Sequence, residues 1–172
     1  MATIHIYTDG SALGNPGPGG YGIIIEWVGK NYIKEFSRGF KYTTNNRMEL
    51  TAIIYAMQVP GVTKIITDSD YCFKGCTKWI KGWIRKGWKT SSGADVKNDG
   101  LWKKIHDLDP SRIQFEWVKA HDANEHNNHV DKLANNAIGK KDTPEQTKEK
   151  LEQELEMLDK RRAEILAKLA QL

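Results

Sequence analysis

Thr3-Ile4-His5-Ile6-Tyr7-Thr8-Asp9-Gly10-Ser11 is the stretch on which the fold turns. Residues 3–8 read as a β-strand, and Asp9-Gly10-Ser11 reads as the polar turn that ends it. Lys64-Ile65-Ile66-Thr67-Asp68-Ser69 repeats the pattern later in the chain, a short apolar strand followed by an aspartate. That second strand comes after a helix, which predicts that it runs parallel to the first. Between the two, Asn15-Pro16-Gly17-Pro18-Gly19-Gly20 has the chemistry of a loop. Residues 21–28 form a strand around Ile23-Ile24-Ile25, Gly29-Lys30-Asn31 is a tight connection, and residues 32–41 pair back. This is an antiparallel meander. Residues 43–58 follow as a helix with a broad buried face (Met48, Leu50, Ala52, Ile53, Ile54, Tyr55, Met57), stopped at Pro60-Gly61.

Beyond Asp68, residues 70–90 read as helical with breaks at Gly82 and Gly87. Residues 91–100 read as a loop, 101–108 as a short helix and 112–118 as a fifth strand. Residues 121–128 are polar and loop-like, and 129–138 read as a helix with Gly139 as its C-cap. The order is βββαβ, then helices, then βα. The fold class is α/β: a mixed five-stranded sheet flanked by helices. Two domains are expected, 1–141 and a helical extension over 142–172.

The composition narrows the class. Apolar residues make up 39% and charged residues 28%, near the globular average, so a disordered or fibrous chain is excluded. No apolar run reaches the 18 or so residues that a membrane span needs, and Met1-Ala2-Thr3-Ile4 is not a signal peptide. Two cysteines, Cys72 and Cys76, cannot build a disulfide scaffold and read as buried thiols. The expectation is a soluble cytoplasmic protein without membrane contact.

The net charge of +4 is unevenly placed. Between Lys74 and Lys104 stand nine basic residues and two acidic ones, together with Trp79, Trp83, Trp88 and Trp102. Cations pair with phosphates and indole faces cover sugars or bases, so the segment reads as a nucleic-acid-binding stripe. The plainer reading is a solvated basic helix whose tryptophans pack inward. Both readings hold if some indoles are core and others surface.

Four carboxylates sit where elements begin or end. Asp9 and Asp68 follow two strands that, if parallel neighbours, present both at one sheet edge. Glu49 lies in the first turns of the helix from 43, on or beside its buried face, and Asp131 opens the last helix. A buried carboxylate is costly unless a positive group neutralises it. Hard oxygen donors without thiolates suit Mg²⁺ or Mn²⁺ rather than Zn²⁺. Two such ions about 4 Å apart can clamp an in-line attack on a phosphodiester. Taken singly, each position reads as a cap, a turn or a surface charge; only the set of four suggests a site.

Six strings in order carry a resemblance. They are Tyr7-Thr8-Asp9-Gly10-Ser11, Gly14-Asn15-Pro16-Gly17-Pro18-Gly19-Gly20, Thr44-Asn45-Asn46-Arg47-Met48-Glu49-Leu50, Thr67-Asp68-Ser69, Trp117-Val118-Lys119-Ala120-His121 and Val130-Asp131-Lys132-Leu133-Ala134. Over roughly residues 2–140 the chain resembles type 1 ribonuclease H. Arg85-Lys86-Gly87-Trp88-Lys89-Thr90 looks like the basic protrusion of the bacterial members. The resemblance implies the ribonuclease H-like mixed sheet. It also implies an endonuclease that cuts the RNA strand of RNA/DNA hybrids, leaving 3′-hydroxyl and 5′-phosphate ends.

On the same footing it assigns Asp9, Glu49, Asp68 and Asp131 to two Mg²⁺ ions, with Mn²⁺ as a substitute. It assigns His121 to a mobile loop that aids proton transfer or product departure. Asn15, Asn45 and Asn46 fall where the family touches the hybrid's backbone and minor groove, and Thr44 where it holds a DNA phosphate. Trp79, Arg85, Lys86, Trp88 and Lys89 belong to the part that grips the DNA strand. Phosphate and sugar contacts carry no sequence information, so none is expected to be read. Ala123 and Asn128 stand where the family's loop usually has glycine and glutamate, and Asp70 adds a carboxylate close to the site.

Two rival readings share the fold: a non-catalytic hybrid-binding module, and a DNA-directed nuclease or transposase-type enzyme. The full set of carboxylates speaks against the first and the Asn-rich string 44–49 against the second. His126 and His129 read as loop residues rather than a second metal pair. The resemblance ends before the tail, where Thr143-Pro144-Glu145-Gln146 is a helix start. Leu151, Leu155, Leu158, Arg162, Ile165, Leu169 and Leu172 then follow a heptad seam broken only by the arginine. That stripe packs on its own domain, on a second copy or on another protein; the spacing leaves all three open.

Overall fold

The computed structural model describes residues 3–30, 32–120 and 122–139, together with Arg162, Ala163, Leu166 and Ala167. The chain divides into two units, Met1–Lys140 and Lys141–Leu172. In the second, the four described residues are helical; the heptad seam otherwise lies outside the described residues. Among the described residues no helix is long and apolar enough to cross a membrane.

The first unit is a mixed five-stranded sheet in the order β3-β2-β1-β4-β5. Its strands are β1 (Ile4–Ala12), β2 (Gly17–Trp27), β3 (Tyr32–Thr43), β4 (Val62–Thr67) and β5 (Gln114–Trp117). β1 pairs antiparallel with β2 and parallel with β4, as the alternation of strand and helix predicts. Helices α1 (Asn45–Gln58), α2 (Asp70–Lys74), α3 (Ile80–Arg85) and α4 (Asp99–Asp107) precede β5, and α5 (Glu125–Ala137) follows it. α1 packs on β1, β2 and β4, and α5 on β1, β2 and β3. The larger core joins α1 and α4 to the sheet through Leu50, Ile53, Met57, Trp102 and Ile105; Tyr7, Ile24, Ile66 and Val130 form a smaller one with α5.

Several boundaries differ from the sequence reading, each for a physical reason. β1 does not end at Thr8 but runs on to Ala12, so Asp9 lies inside the strand. The glycines of 17–20, read as loop, are strand: Ser11 pairs with Gly20 and Asp9 with Gly22. Glycine is unfavourable in a strand, but here it makes room for α5. A Cβ on Gly20 would stand 2.7 Å from the Ala134 carbonyl oxygen, and one on Gly22 2.8 Å from that of Val130.

The break in 70–90 falls at a π-helical turn, Gly75–Trp79, rather than at Gly82, which lies inside α3. A Cβ on Gly75 would meet the buried Trp102 ring at 1.9 Å, whereas nothing stands near Gly82. Gly87, with φ +62°, follows the end of α3. α5 begins at Glu125 instead of 129, so Asp131 sits in mid-helix and does not open it. The polar first turn hid the helix; the Asn124 side chain caps it, accepting from Asn127 N at 3.0 Å.

Candidate metal centre and nucleic-acid interface

The parallel pairing of β1 and β4 sets Thr8 beside Thr67, which brings Asp9 and Asp68 to one end of the sheet centre. α1 crosses that end with its first turn directly on β1. A Cβ on Gly10 would lie 2.2 Å from Glu49 N and 2.4 Å from the Met48 carbonyl carbon. Only a residue without a side chain allows that approach, and the approach delivers Glu49. Thr44 caps α1, its hydroxyl accepting from Arg47 N at 3.3 Å. Such a cap stabilises a helix by about 1 kcal/mol.

One oxygen from each of Asp9, Glu49 and Asp68 lies within 4.8 Å of the others. Asp9 and Glu49 are buried, and Asp68 is partly so. Asp131, half-buried on α5, lies near enough for its charge to raise the Asp9 carboxyl. Its Oδ1 also accepts from Asn135 Nδ2 at 2.9 Å. Three of the four expected carboxylates therefore converge, and the fourth flanks them. Among the described residues no lysine or arginine forms an ion pair with any of them.

Burial, and then the charges of Asp68 and Asp131, push the Asp9 carboxyl from an ordinary 3.8 up to about 8; the Gly10 backbone N–H acts in the opposite sense. Glu49 is raised by burial first, then by Asp9 and Asp68. Its Oε2 is buried without a hydrogen-bond partner. Crowded like charges and an orphaned carboxylate oxygen are what a cation would neutralise. The donor set is all oxygen, which fits a hard divalent ion. Cys72 and Cys76 are buried free thiols, as expected. Burial raises both, Cys76 to about 12, so neither is available as a thiolate ligand.

Two residues that the sequence reading left without a role hold Asp68 in place. Trp117 on β5 donates its indole N–H to the Asp68 carbonyl at 3.0 Å. Asn127 on α5 donates Nδ2 to Asp68 Oδ2 at 3.1 Å. The Asn127 to Asp131 spacing of one helical turn was the available signal, because it puts both on one face; the later helix start concealed it. Asp70, expected near the site, is turned to Lys74 at 2.6 Å and is not in the cluster. In the altered loop, Asn128 Nδ2 donates to the Asp122 carbonyl at 2.8 Å. His121 lies outside the described residues. His126 stands on α5 against Tyr7 at 4.9 Å between ring centroids, and His129 bonds Glu35 at 2.9 Å, so they form no metal pair.

Of the candidate substrate contacts, Asn15 Oδ1 accepts from Asn45 N at 3.2 Å, which ties the β1–β2 loop to the start of α1. Asn15, Asn45 and Asn46 are exposed there. The basic segment is both surface and core. Trp102 is fully buried, with its N–H donated to Tyr71 at 2.9 Å. Trp83 packs edge-on against Trp102 at 5.2 Å, and Trp79 is 37% exposed beside Trp83. Arg85 and Lys86 are exposed at the end of α3. Trp88 is half-buried with φ +64° beneath the Lys103 ammonium, and Lys89 is paired to Asp95.

The sequence model of the family described as RNase H matches residues 1–139. The Ribonuclease H of Shewanella denitrificans is 47% identical over 138 residues, covering 78% of this chain and 86% of that protein. LC9-RNase H1, described as a type 1 RNase H with the type 2 active-site motif, is similar at TM-score 0.68 and 32% identity, over 80% of this chain and 72% of that one. LC11-RNase H1, solved in complex with an RNA/DNA hybrid, aligns at TM-score 0.58 and 26% identity, over 79% of this chain and 96% of that one.

Proposed function

The chain belongs to the ribonuclease H family, and from that premise we propose that it is an endonuclease hydrolysing the RNA strand of RNA/DNA hybrids. It leaves 3′-hydroxyl and 5′-phosphate ends and reads no sequence. The observation that carries this reading is the convergence of Asp9, Glu49 and Asp68 around a buried Glu49 oxygen that no protein donor satisfies. A structural carboxylate cluster would carry lysines or arginines; this one has none among the described residues.

Asp9, Glu49, Asp68 and Asp131 would hold two Mg²⁺ ions, or Mn²⁺, which supply Lewis-acid chemistry by acidifying the attacking water and neutralising charge on the leaving 3′ oxygen. The chain's own residues do the rest. Asn127 and Trp117 fix the side chain and the backbone of Asp68, so its oxygens need not reorganise when charge develops. His121, with a reference pKa near neutrality, moves a proton at the reacting oxygens. Asn15, Asn45 and Asn46 offer amide donors and acceptors to the minor groove, where the 2′-hydroxyl distinguishes RNA from DNA. Thr44 holds a DNA phosphate beside them. Trp79, Arg85, Lys86, Trp88 and Lys89 grip the DNA strand through backbone charge and indole contact. Hydrolysis resides in 1–141, with 142–172 an added helical extension.

The test is product analysis on a hybrid labelled in each strand, with and without divalent cation. Cleavage confined to RNA, requiring the cation and ending in 3′-hydroxyl, is expected. Binding without cleavage would favour a non-catalytic hybrid-binding module, and equal cleavage of duplex DNA a DNA-directed nuclease.

A further inference from the structure

Asp131 reaches the site from α5, whereas Asp9 and Glu49 lie on β1 and α1 and Asp68 follows β4. What sets its position follows from how α5 lies on the sheet. Gly22 and Gly20 of β2 pair with Asp9 and Ser11 of β1. A Cβ on Gly22 would meet Val130, Leu133 and Ala134, and one on Gly20 would meet Ala134 and Ala137. α5 therefore advances along β1 in the direction from Asp9 to Ser11. Two residues on a strand span about 6.8 Å, and four on a helix about 6 Å. The steps match, so the helix places Asn135 at Ser11 when it places Asp131 near Asp9.

Three hydrogen bonds join these positions. Asn135 Nδ2 donates to Asp131 Oδ1 at 2.9 Å and to the Asp131 carbonyl at 3.0 Å; an amide has two N–H groups, enough for both. Asn135 Oδ1 accepts from the Ser11 hydroxyl at 2.7 Å. The carboxylate is thereby clamped to its own backbone. The hydroxyl on the oxygen side keeps the amide from flipping, so its N–H groups stay turned to Asp131. Asn135 is exposed, and asparagine suits a helix less well than alanine, so these bonds rather than the stability of α5 account for it. An amide orients an acid and leaves its charge for a cation, where a lysine would neutralise it. We infer that Ser11 and Asn135 are positioning residues for the proposed reaction: they bolt α5 to β1 beside the acids and fix where the Asp131 carboxylate can meet a divalent cation. The inference rests on the reading of the acids as a cation site, and both residues act through Asp131.

The experiment is calorimetric titration of Mg²⁺ and Mn²⁺ into the full chain without substrate, beside cleavage of a hybrid across a cation series. Asn135→Ala is expected to lower cation affinity about tenfold. The cation concentration for half-maximal rate should rise by a like factor, with the KM for hybrid as in the parent. Its melting temperature in chelator should stay near the parent's, because the better helix former offsets the lost exposed bonds. Ser11→Ala should give a smaller loss in the same direction, and Ser11→Thr, which keeps the hydroxyl, should recover the parent affinity. The double alanine variant should be no weaker than Asn135→Ala alone, since Ser11 acts through the amide. Losses that add in the double variant would overturn the proposal. So would parent-like affinity in Asn135→Ala with a parent that binds the cation, which leaves the cation site itself standing. A parent that takes up no cation would overturn both the cation site and this inference.

Discussion

Replacing Asp9 by asparagine should make the metal-free protein more stable at pH 8, and by a much smaller margin at pH 5. In the folded chain the Asp9 carboxyl titrates at about 8 against an ordinary 3.8. Between those values the folded state keeps a proton that the unfolded chain has already lost. Stability is therefore complete at low pH and falls as pH rises toward 8. One proton retained on folding sets the slope at about 1.4 kcal/mol per pH unit. From pH 5 to 8 the ceiling is roughly 4 kcal/mol. Glu49, raised by the same crowding, takes part in that fall. For a chain of this size, with about 2–4 °C in Tm per kcal/mol, the parent should melt roughly 10 °C lower at pH 8 than at pH 5 on this account. The substituted asparagine has the shape of the neutral acid and does not titrate, so the variant's line should be flatter and cross above the parent's. The assay is thermal unfolding in chelator, parent and Asp9→Asn side by side from pH 5 to 8, so that the carboxylates remote from Asp9 cancel in the difference and Glu49, raised in part by Asp9, adds to it. A divalent cation at about a hundred times its dissociation constant should then restore about 2.7 kcal/mol to the parent at pH 8 and much less to the variant. Parallel pH lines, or a variant less stable than the parent at pH 8, would refute the like-charge account of the cluster. Cleavage of a hybrid should be lost in the variant, with hybrid binding retained.

Asn127→Ala removes the donor to Asp68 Oδ2; a drop in kcat or cation affinity of about 10–100-fold is expected, with Tm nearly constant, measured by steady-state cleavage across a cation titration. Gly10→Ala places a methyl group against the backbone of Met48 and Glu49; a loss of about 3 kcal/mol or more is expected by denaturant unfolding, and a parent-like midpoint would contradict the close crossing of α1 over β1. A chain ending at Lys141 should keep kcat/KM on a short hybrid, and sedimentation of it beside the full chain shows whether residues 142–172 bring copies together. Hybrid affinity should fall steeply with salt, and a flat response would remove Arg85, Lys86 and the other cations of that segment from the binding account.

The sheet order was legible because apolar strands, turn residues and the helix between β1 and β4 all pointed the same way. The misread elements share one cause: their local chemistry argued for one structure and tertiary contact imposed another. Gly17, Gly19 and Gly20 look like loop, yet they are strand in places where a side chain would not fit: α5 presses on Gly20, the Leu13 carbonyl stands against Gly17, and Thr43 and Ser11 stand against Gly19. Glu125, His126 and Asn128 look like loop, yet they are helix because Asn124 caps them and Asn127 is buried behind them. In the site, Asp9, Glu49 and Asp68 could be picked out as carboxylates flanking apolar runs. The supports of Asp68 could not, because an indole bonding a backbone carbonyl and an amide one helical turn before Asp131 leave no mark in hydrophobic periodicity.

The same topology explains why the cluster is tolerated at all. β1 and β4 are parallel neighbours, so both aspartates emerge at one end, and the α1 crossing at Gly10 adds a third carboxylate there. With the carboxylates ionised and no cation present, folding must overcome their repulsion. The surrounding packing offsets that cost: Leu50 and Ile53 on α1 and Ile6 and Ile65 on the strands are buried within a few residues of the acids. Each such side chain contributes on the order of 1.5–3 kcal/mol when removed from water. A strained site of this kind persists only where neighbouring packing over-determines it. Rigid walls also keep the oxygens from splaying apart to relieve their repulsion, so binding a cation requires little rearrangement. Gly10→Ala and Asp9→Asn separate the two effects: the first should loosen the walls and cost stability at every pH, the second should raise stability by a margin that grows with pH, because only the parent must hold a proton on Asp9 to fold.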